Sequence, residues 1–274
     1  MERELLARLH GVQLALLDEA VRLCEAHGLT YYLVAGTLLG AVRHGGFISW
    51  DDDLDIAMPR ADFERFIDVC ETELDPDYWL QSYRNDDGWW LLEAKLKKKN
   101  TCFLEAANAR LPNRRAADNG IFIDVFPLDD ARREDGLQIR QQRLLSKLQG
   151  MGEIKRSEKQ GAAWKRLLVK AFSLRAILHM QQRIMRLQNG PRAGFYVGFA
   201  SQYGCRRQTI PKDRYDPPGR IEFEGKHYAA PQDTDYFLRR LYGDDYMTPP
   251  PPARRVTHSP VRLSFDTEGQ DEII

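Results

Sequence analysis

Residues Tyr32 to Met58 read YLVAGTLLGAVRHGGFISWDDDLDIAM, and few folds accommodate such a stretch. A short apolar run, Tyr32-Leu33-Val34-Ala35, breaks into Gly36-Thr37. A helical segment from Leu38 to His44 is closed by Gly45-Gly46, and Phe47-Ile48-Ser49-Trp50 then leads into Asp51, Asp52, Asp53 and Asp55. With residues 51–56 extended, alternation puts Asp51, Asp53 and Asp55 on one face and Leu54 and Ile56 on the other, in a core. Carboxylates on one face repel unless a cation sits among them, and hard oxygen ligands suit Mg²⁺ or Mn²⁺. The strand-Gly-Thr-helix turn upstream offers backbone N–H groups to a phosphate. Together these features point to phosphoryl transfer on a nucleotide. A solvated acidic turn is the common alternative, and the interleaved Leu54 and Ile56 argue against it. A calcium-binding EF-hand loop needs Gly after the third acid and Glu at its last position; Ile56 and Asp62 stand there instead.

A single acid recurs in a second apolar run. Gly120 to Asp129 is predicted to be a buried strand, with Ile121, Phe122, Ile123, Val125 and Phe126 around Asp124. A lone carboxylate there is costly to bury unless it is paired or binds metal. No sequence neighbour pairs with it, so Asp124 is expected beside Asp53 and Asp55. Pro127 is expected to end this strand, and Asp129-Asp130 to start a helix.

The run AGTLLGAVRHGGFISWDDDLDIAM resembles the LicD family of phosphotransferases, whose relatives include the fukutin-type proteins. That family resembles in turn the nucleotidyltransferase superfamily of DNA polymerase beta. The superfamily pattern is Gly-Ser/Thr at a strand end, then acid-x-acid, then a third acid between apolar residues. Gly36-Thr37, Asp53-Leu54-Asp55 and Ile123-Asp124-Val125 match these elements, and the likeness returns at YFLRRLYGDDYMTPPPP from Tyr236. It spans about residues 10–258. Ser49 before Trp50, where Pro is commoner, and the extended Pro249–Pro252 run depart from the pattern.

The resemblance implies an α/β (mixed α+β) domain with a nucleotidyltransferase-like mixed sheet flanked by helices. It also implies Mg²⁺-dependent (or Mn²⁺-dependent) transfer of a substituted phosphoryl group, phosphocholine from CDP-choline in the first instance. The acceptor would be a hydroxyl of a cell-surface glycan, such as lipopolysaccharide or teichoic acid, or of its lipid-linked precursor; CDP-ribitol and CDP-glycerol stay open as donors. Asp53 and Asp55 would hold the metal. Asp124 would complete the metal site or accept the acceptor's proton, with Asp51 held in reserve for either role. Gly36 and Thr37 would bind phosphate with Arg43 or His44 nearby, and Lys95 or Lys97 would be a further phosphate ligand. Two readings compete: a nucleotidyltransferase or a glycosyltransferase using Asp51-Asp52-Asp53, and a non-catalytic binding protein of the same fold.

The rest of the chain mixes scaffold with secondary candidates. Forty Lys and Arg balance forty Asp and Glu over 274 residues, so no global charge favours nucleic acid. Cys24, Cys70, Cys102 and Cys205 are scattered without a CxxC pair and read as reduced thiols. Without a signal-peptide core or a transmembrane-length apolar run, a cytoplasmic location is expected. Residues 4–27 and Arg60 to Leu74 carry helical apolar stripes, ended by Gly28 and by Asp75-Pro76. Tyr78 to Glu105 reads as strands about an Asn85-to-Gly88 turn. Alternation there puts Lys95, Lys97 and Lys99 on one face, directed at the site or guarding a solvent-exposed edge. Residues 137–192 form a basic helical insertion in which thirteen Lys and Arg stand against Glu153 and Glu158, leaving peripheral membrane contact open. A hairpin about Glu224-Gly225 and a helix from Thr234 to Tyr242 follow, and Arg254, Arg255 and His258 are placed within reach of nucleotide or acceptor. One domain, 1–258, and a tail, 259–274, are expected, with the residues after Pro260 read as a terminal strand or a disordered tail.

Overall fold

The computed structural model describes residues 2–109, 119–132, 136–157, 171–255, 257 and 260–266. Helix α1 (Arg3–His27) is amphipathic and buries Leu9, Leu16, Leu17, Ala20 and Leu23 completely. Gly28, at φ 62°, ends it in the left-handed conformation that a residue without Cβ adopts freely. Strand β1 (Tyr32–Leu33) leads directly into α2 (Ala35–His44), and β2 (Asp55–Pro59) into α3 (Arg60–Glu73). Strands β3 (Tyr78–Gln81), β4 (Ala94–Lys98), β5 (Cys102–Leu104) and β6 (Phe122–Ala131) follow. The basic region supplies α4 (Gly136–Ser157) and α5 (Leu174–Met185), which pack on each other. Residues 158–170 of the expected insertion lie outside the described residues. The chain closes with β7 (Phe195–Val197), β8 (Thr209–Pro211), the β9 (Gly219–Phe223) to β10 (Lys226–Ala230) hairpin, α6 (Thr234–Tyr242) and β11 (Arg262–Ser264).

The architecture is a mixed sheet flanked by helices. Its strand order is β1-β2-β6-β4-β3, and β7 and β8 are added beside the far end of β6. β2 and β6 are parallel; the other neighbours are antiparallel. On one face, Ile56, Met58, Ile123, Val125, Leu96 and Leu80 are sealed beneath α1 and α3. Burying each such side chain contributes about 1.5–3 kcal/mol, so this face anchors the strands. The opposite face carries the polar residues of the site.

Several elements differ from the sequence expectation. Residues 51–54 are irregular, and the strand begins only at Asp55. Their carbonyls are taken by α1: the His10 ring donates to Asp51 O at 2.8 Å and the Gln13 amide to Asp52 O at 2.9 Å. The expected alternation of Asp51, Asp53 and Asp55 along one strand therefore does not occur. Helix α2 starts at Ala35, so Gly36 and Thr37 lie inside its first turn. β6 runs through Pro127 to Ala131, and no helix starts at Asp129. Pro127 falls between the segment paired with β4 and the segment paired with β7, where its missing N–H is tolerated. β4 lies between β3 and β6, so its lysines guard no edge. Of the two readings open for the residues after Pro260, the described ones take the terminal strand, β11, which pairs with β5.

Candidate active site

The sheet register builds one polar row. Asp55 on β2 pairs with Asp124 on β6, Asp124 with Lys95 on β4, and Lys95 with Gln81 on β3. The four side chains share a face because each occupies the same rung of its strand. Lys95 Nζ lies 3.1 Å from Asp124 Oδ1 and 3.3 Å from the centre of the Phe122 ring. Asp124 thus has a protein partner that sequence proximity did not reveal. Beyond Lys95, the Gln81 amide donates to Asp86 Oδ2 at 2.5 Å.

Asp51 and Asp53 reach the row from the loop. A Cβ added at Gly36 would come within 2.8 Å of Asp51 Oδ2 and 3.9 Å of Asp53 Oδ1, so glycine lets both acids close on the first turn of α2. Ala35, just before it, has φ 47°, a strained conformation for a residue with a side chain, and it produces the sharp turn from β1 into α2. The Thr37 hydroxyl accepts the Asp55 N–H at 2.8 Å and braces the start of β2. The β9–β10 hairpin holds the segment before the acids: Glu224 accepts the Phe47 N–H at 2.9 Å, and Gly46 has no room for a Cβ against that carboxylate.

Two cavities meet at these acids. The inner one, about 590 Å³, is lined by Asp53, Asp55, Glu93, Glu105, Asp124 and Glu153 against Lys95 and Lys97, with Trp89, Trp90, Phe103, Phe122, Phe126, Tyr203 and Tyr215 in its walls. The outer one, about 630 Å³, is bounded by Gly36, Arg43, Trp50, Asp51, Tyr242, Tyr246, the Pro249–Pro251 run, Arg254 and Arg255. Asp53, Asp55, Gln202 and Tyr203 line both. The Tyr203 hydroxyl is 2.9 Å from that of Tyr242.

Among the described residues, acids crowd the junction. The Asp55 carboxyl is held well above its usual range, first by burial and then by Asp53, Asp124 and Asp51, with Lys95 opposing. Glu93 is pushed up to about 7 by burial and by Asp124, again against Lys95. Burial pulls Lys95 down, but Asp124, Glu105 and Glu93 outweigh it and leave the ammonium more firmly protonated than usual. A divalent cation would relieve this crowding, and the hard oxygens of Asp53 and Asp55 fit Mg²⁺ or Mn²⁺. Among the described residues, no group of three or more His, Cys, Asp or Glu is placed to hold a metal ion.

Of the residues singled out in sequence, Asp53, Asp55, Asp124, Lys95 and Lys97 line the inner cavity. Gly36, Arg43 and Asp51 join Asp53 and Asp55 at the outer one. Lys97 is turned to the Asn119 carbonyl at 3.3 Å. Thr37 is buried beneath the junction. His44 is exposed and accepts from Arg43 at 3.0 Å, and neither it nor Thr37 is among the cavity walls. His258 lies outside the described residues. Sequence reasoning passed over Glu93, Glu105, Gln81 and Tyr203. Glu93 has the same strand parity as Lys95 and Lys97, and that alternation was the available signal. All four described cysteines are free thiols, and no described helix is long and apolar enough to cross a membrane.

A family described as "LicD/FKTN/FKRP, nucleotidyltransferase domain" matches residues 28–149. The chain is 29% identical over 256 residues to the lipopolysaccharide cholinephosphotransferase LicD of Haemophilus influenzae, covering 90% of this chain and 93% of the relative. A shorter match, 50% identical over 38 residues, links 14% of the chain to 8% of the ribitol 5-phosphate transferase FKRP of Homo sapiens.

Proposed function

We propose, from the premise that this chain carries a LicD/FKTN/FKRP nucleotidyltransferase domain, that it transfers phosphocholine from CDP-choline to a hydroxyl of a cell-surface glycan or its lipid-linked precursor. The chain is an enzyme of the phosphotransferase class; the choline donor, the metal and the residue roles are our reading. The observation that carries it is the acidic, aromatic inner chamber opening directly onto Asp53 and Asp55. A trimethylammonium group is drawn to carboxylates and to ring faces, whereas an uncharged polyol gains little from either.

Asp53 and Asp55 would hold Mg²⁺, which when bound neutralises donor phosphate oxygens and stabilises charge on the transferring phosphorus. Thr37 fixes the Asp55 backbone, and α1 fixes the Asp51-Asp52 carbonyls, so the backbone that carries the acids is held in place. Lys95 orients Asp124, which faces the inner chamber and would accept the acceptor hydroxyl's proton. We place the reaction in the cytoplasm, where thiols such as these stay reduced.

The test is a donor panel with product identification. The purified protein, with Mg²⁺ and a glycan acceptor, is expected to release CMP from CDP-choline faster than from CDP-glycerol or CDP-ribitol. Asp53→Asn should reduce the rate at least about a hundredfold. Preference for CDP-ribitol would replace the choline assignment, and release of a nucleoside diphosphate from a sugar-nucleotide would replace the reaction class.

A further inference from the structure

We propose that the outer chamber seats the nucleoside monophosphate half of the donor, held by Trp50 and Arg255. This rests on the reading that the donor is nucleotide-activated and adds to it an address for each half. Asp53 and Asp55 line both chambers, so a diphosphate centred on them sends its two ends in opposite directions. In the transfer, the acceptor oxygen forms a bond to the phosphorus bearing the substituent, and the acceptor's proton goes to a carboxylate. The bond from that phosphorus to the bridging oxygen breaks, and its electron pair leaves on the nucleoside monophosphate. The departing group therefore gains negative charge as the bond breaks.

The chambers differ in how they receive that charge. Among the described residues, the inner chamber adds Glu93, Glu105, Asp124 and Glu153 to the shared pair, against Lys95 and Lys97, and opposes it. Apart from the shared Asp53 and Asp55, the described residues of the outer one set Arg43, Arg254 and Arg255 against Asp51 and Asp245, so its lining attracts that charge. The outer chamber also has a flat surface for a base. The Arg255 guanidinium lies 3.9 Å from the centre of the Trp50 ring, and Arg43 approaches the same ring at 5.9 Å. A guanidinium stacked on an indole presents a planar face for a pyrimidine and edge N–H groups for its carbonyl oxygen. Arg43 is itself steadied by the Tyr246 carbonyl at 3.1 Å. Gly36, in the first turn of α2, borders the same space.

The experiment is calorimetric titration of CMP, with Mg²⁺, into the wild-type protein and into Arg255→Ala, Trp50→Leu and Trp90→Leu. Arg255→Ala and Trp50→Leu are each expected to weaken CMP about tenfold, while Trp90→Leu, in the inner chamber, changes CMP affinity less than about twofold. Arg255 is exposed, so its variant reads out binding even where Trp50→Leu perturbs folding. CMP affinity unchanged in Arg255→Ala and lowered in Trp90→Leu overturns the assignment and leaves the nucleotide-activated donor intact. CMP affinity unchanged in Arg255→Ala with loss of affinity for a phosphorylated glycan would likewise overturn it, giving the chamber to the acceptor. A folded wild-type protein that binds neither CMP nor CDP-choline would bring down the donor reading, and this assignment with it.

Discussion

Asp124 and Asp129 lie on the same strand, β6, and both are nearly sealed from water, but their surroundings differ. Asp129 faces Arg60 in a two-bonded pair, with Nε to Oδ1 at 2.9 Å and Nη2 to Oδ2 at 2.5 Å, and it also accepts from the Asn189 amide at 3.0 Å. Arg60 directs its remaining donors to Glu64, Gln182 and the Met185 sulfur. Burial lowers the Arg60 pKa, but Asp129 and Glu64 raise it by more, so the guanidinium stays charged. Asp124 shares one lysine with Glu93 and Glu105 and lies near an Asp55 that is itself short of a cation. One end of the strand is electrostatically closed and the other is left open. Closure is what a structural ion pair needs, and openness at a cavity is what a charged ligand needs.

Substitutions should separate the two ends. The largest effect is expected at Asp55→Asn, which should remove at least about a hundredfold of transferase activity. It should nevertheless raise Tm when measured at pH 8 without divalent cation. The sign follows from the raised folded-state pKa: the contribution of Asp55 to stability is full below its unfolded value and is lost as pH rises through the folded one. A fall in Tm at pH 8 would mean that the crowding is already relieved within the protein. Next in size, Asp129→Ala strands a buried guanidinium and should cost about 3–5 kcal/mol, lowering Tm by roughly 6–15 °C. A drop of only a degree or two would erase the contrast between the two ends.

Asp124→Asn is expected to fall between them, costing about 1–3 kcal/mol because Lys95 loses its closest counter-charge. Adding Lys95→Met should recover most of that stability and none of the activity, a double-mutant test of whether the pair is structural or functional. The smallest effect belongs to Glu93→Gln. With Glu93 at about 7, its contribution is full below its unfolded pKa and fades as pH rises through 7. The variant should therefore match wild-type Tm at pH 5 and exceed it at pH 8. Equal Tm differences at both pH values would show that Glu93 titrates normally.

Local patterns were legible in the chain. The stripe of α1, the Gly28 stop, the Glu224-Gly225 hairpin and the limits of α6 follow from nearest-neighbour physics and occur where periodicity places them. The approach of Asp124 to Asp55 was legible too, because a lone acid in an apolar strand demands company. Its actual partner, Lys95, was not, since that pairing is created by register between β4 and β6 rather than by spacing along either. The course of residues 51–54 was hidden for a similar reason: side chains of α1 claim their carbonyls. Asp129 was misread as a helix start because Pro127 looks like a stop, and only the junction between the β4 and β7 pairings explains why it is not.

The outer chamber takes much of its wall from residues 245–257, and β11 ties the following segment to β5, laid down far earlier in the chain. During synthesis on a ribosome, all the acids of the junction emerge while Arg254 and Arg255 are still unmade. A nascent or truncated polypeptide in that state holds the carboxylates without the wall that grips a donor. Under our assignment it cannot split one wastefully, and turnover begins only once the closing stretch has been translated and docked.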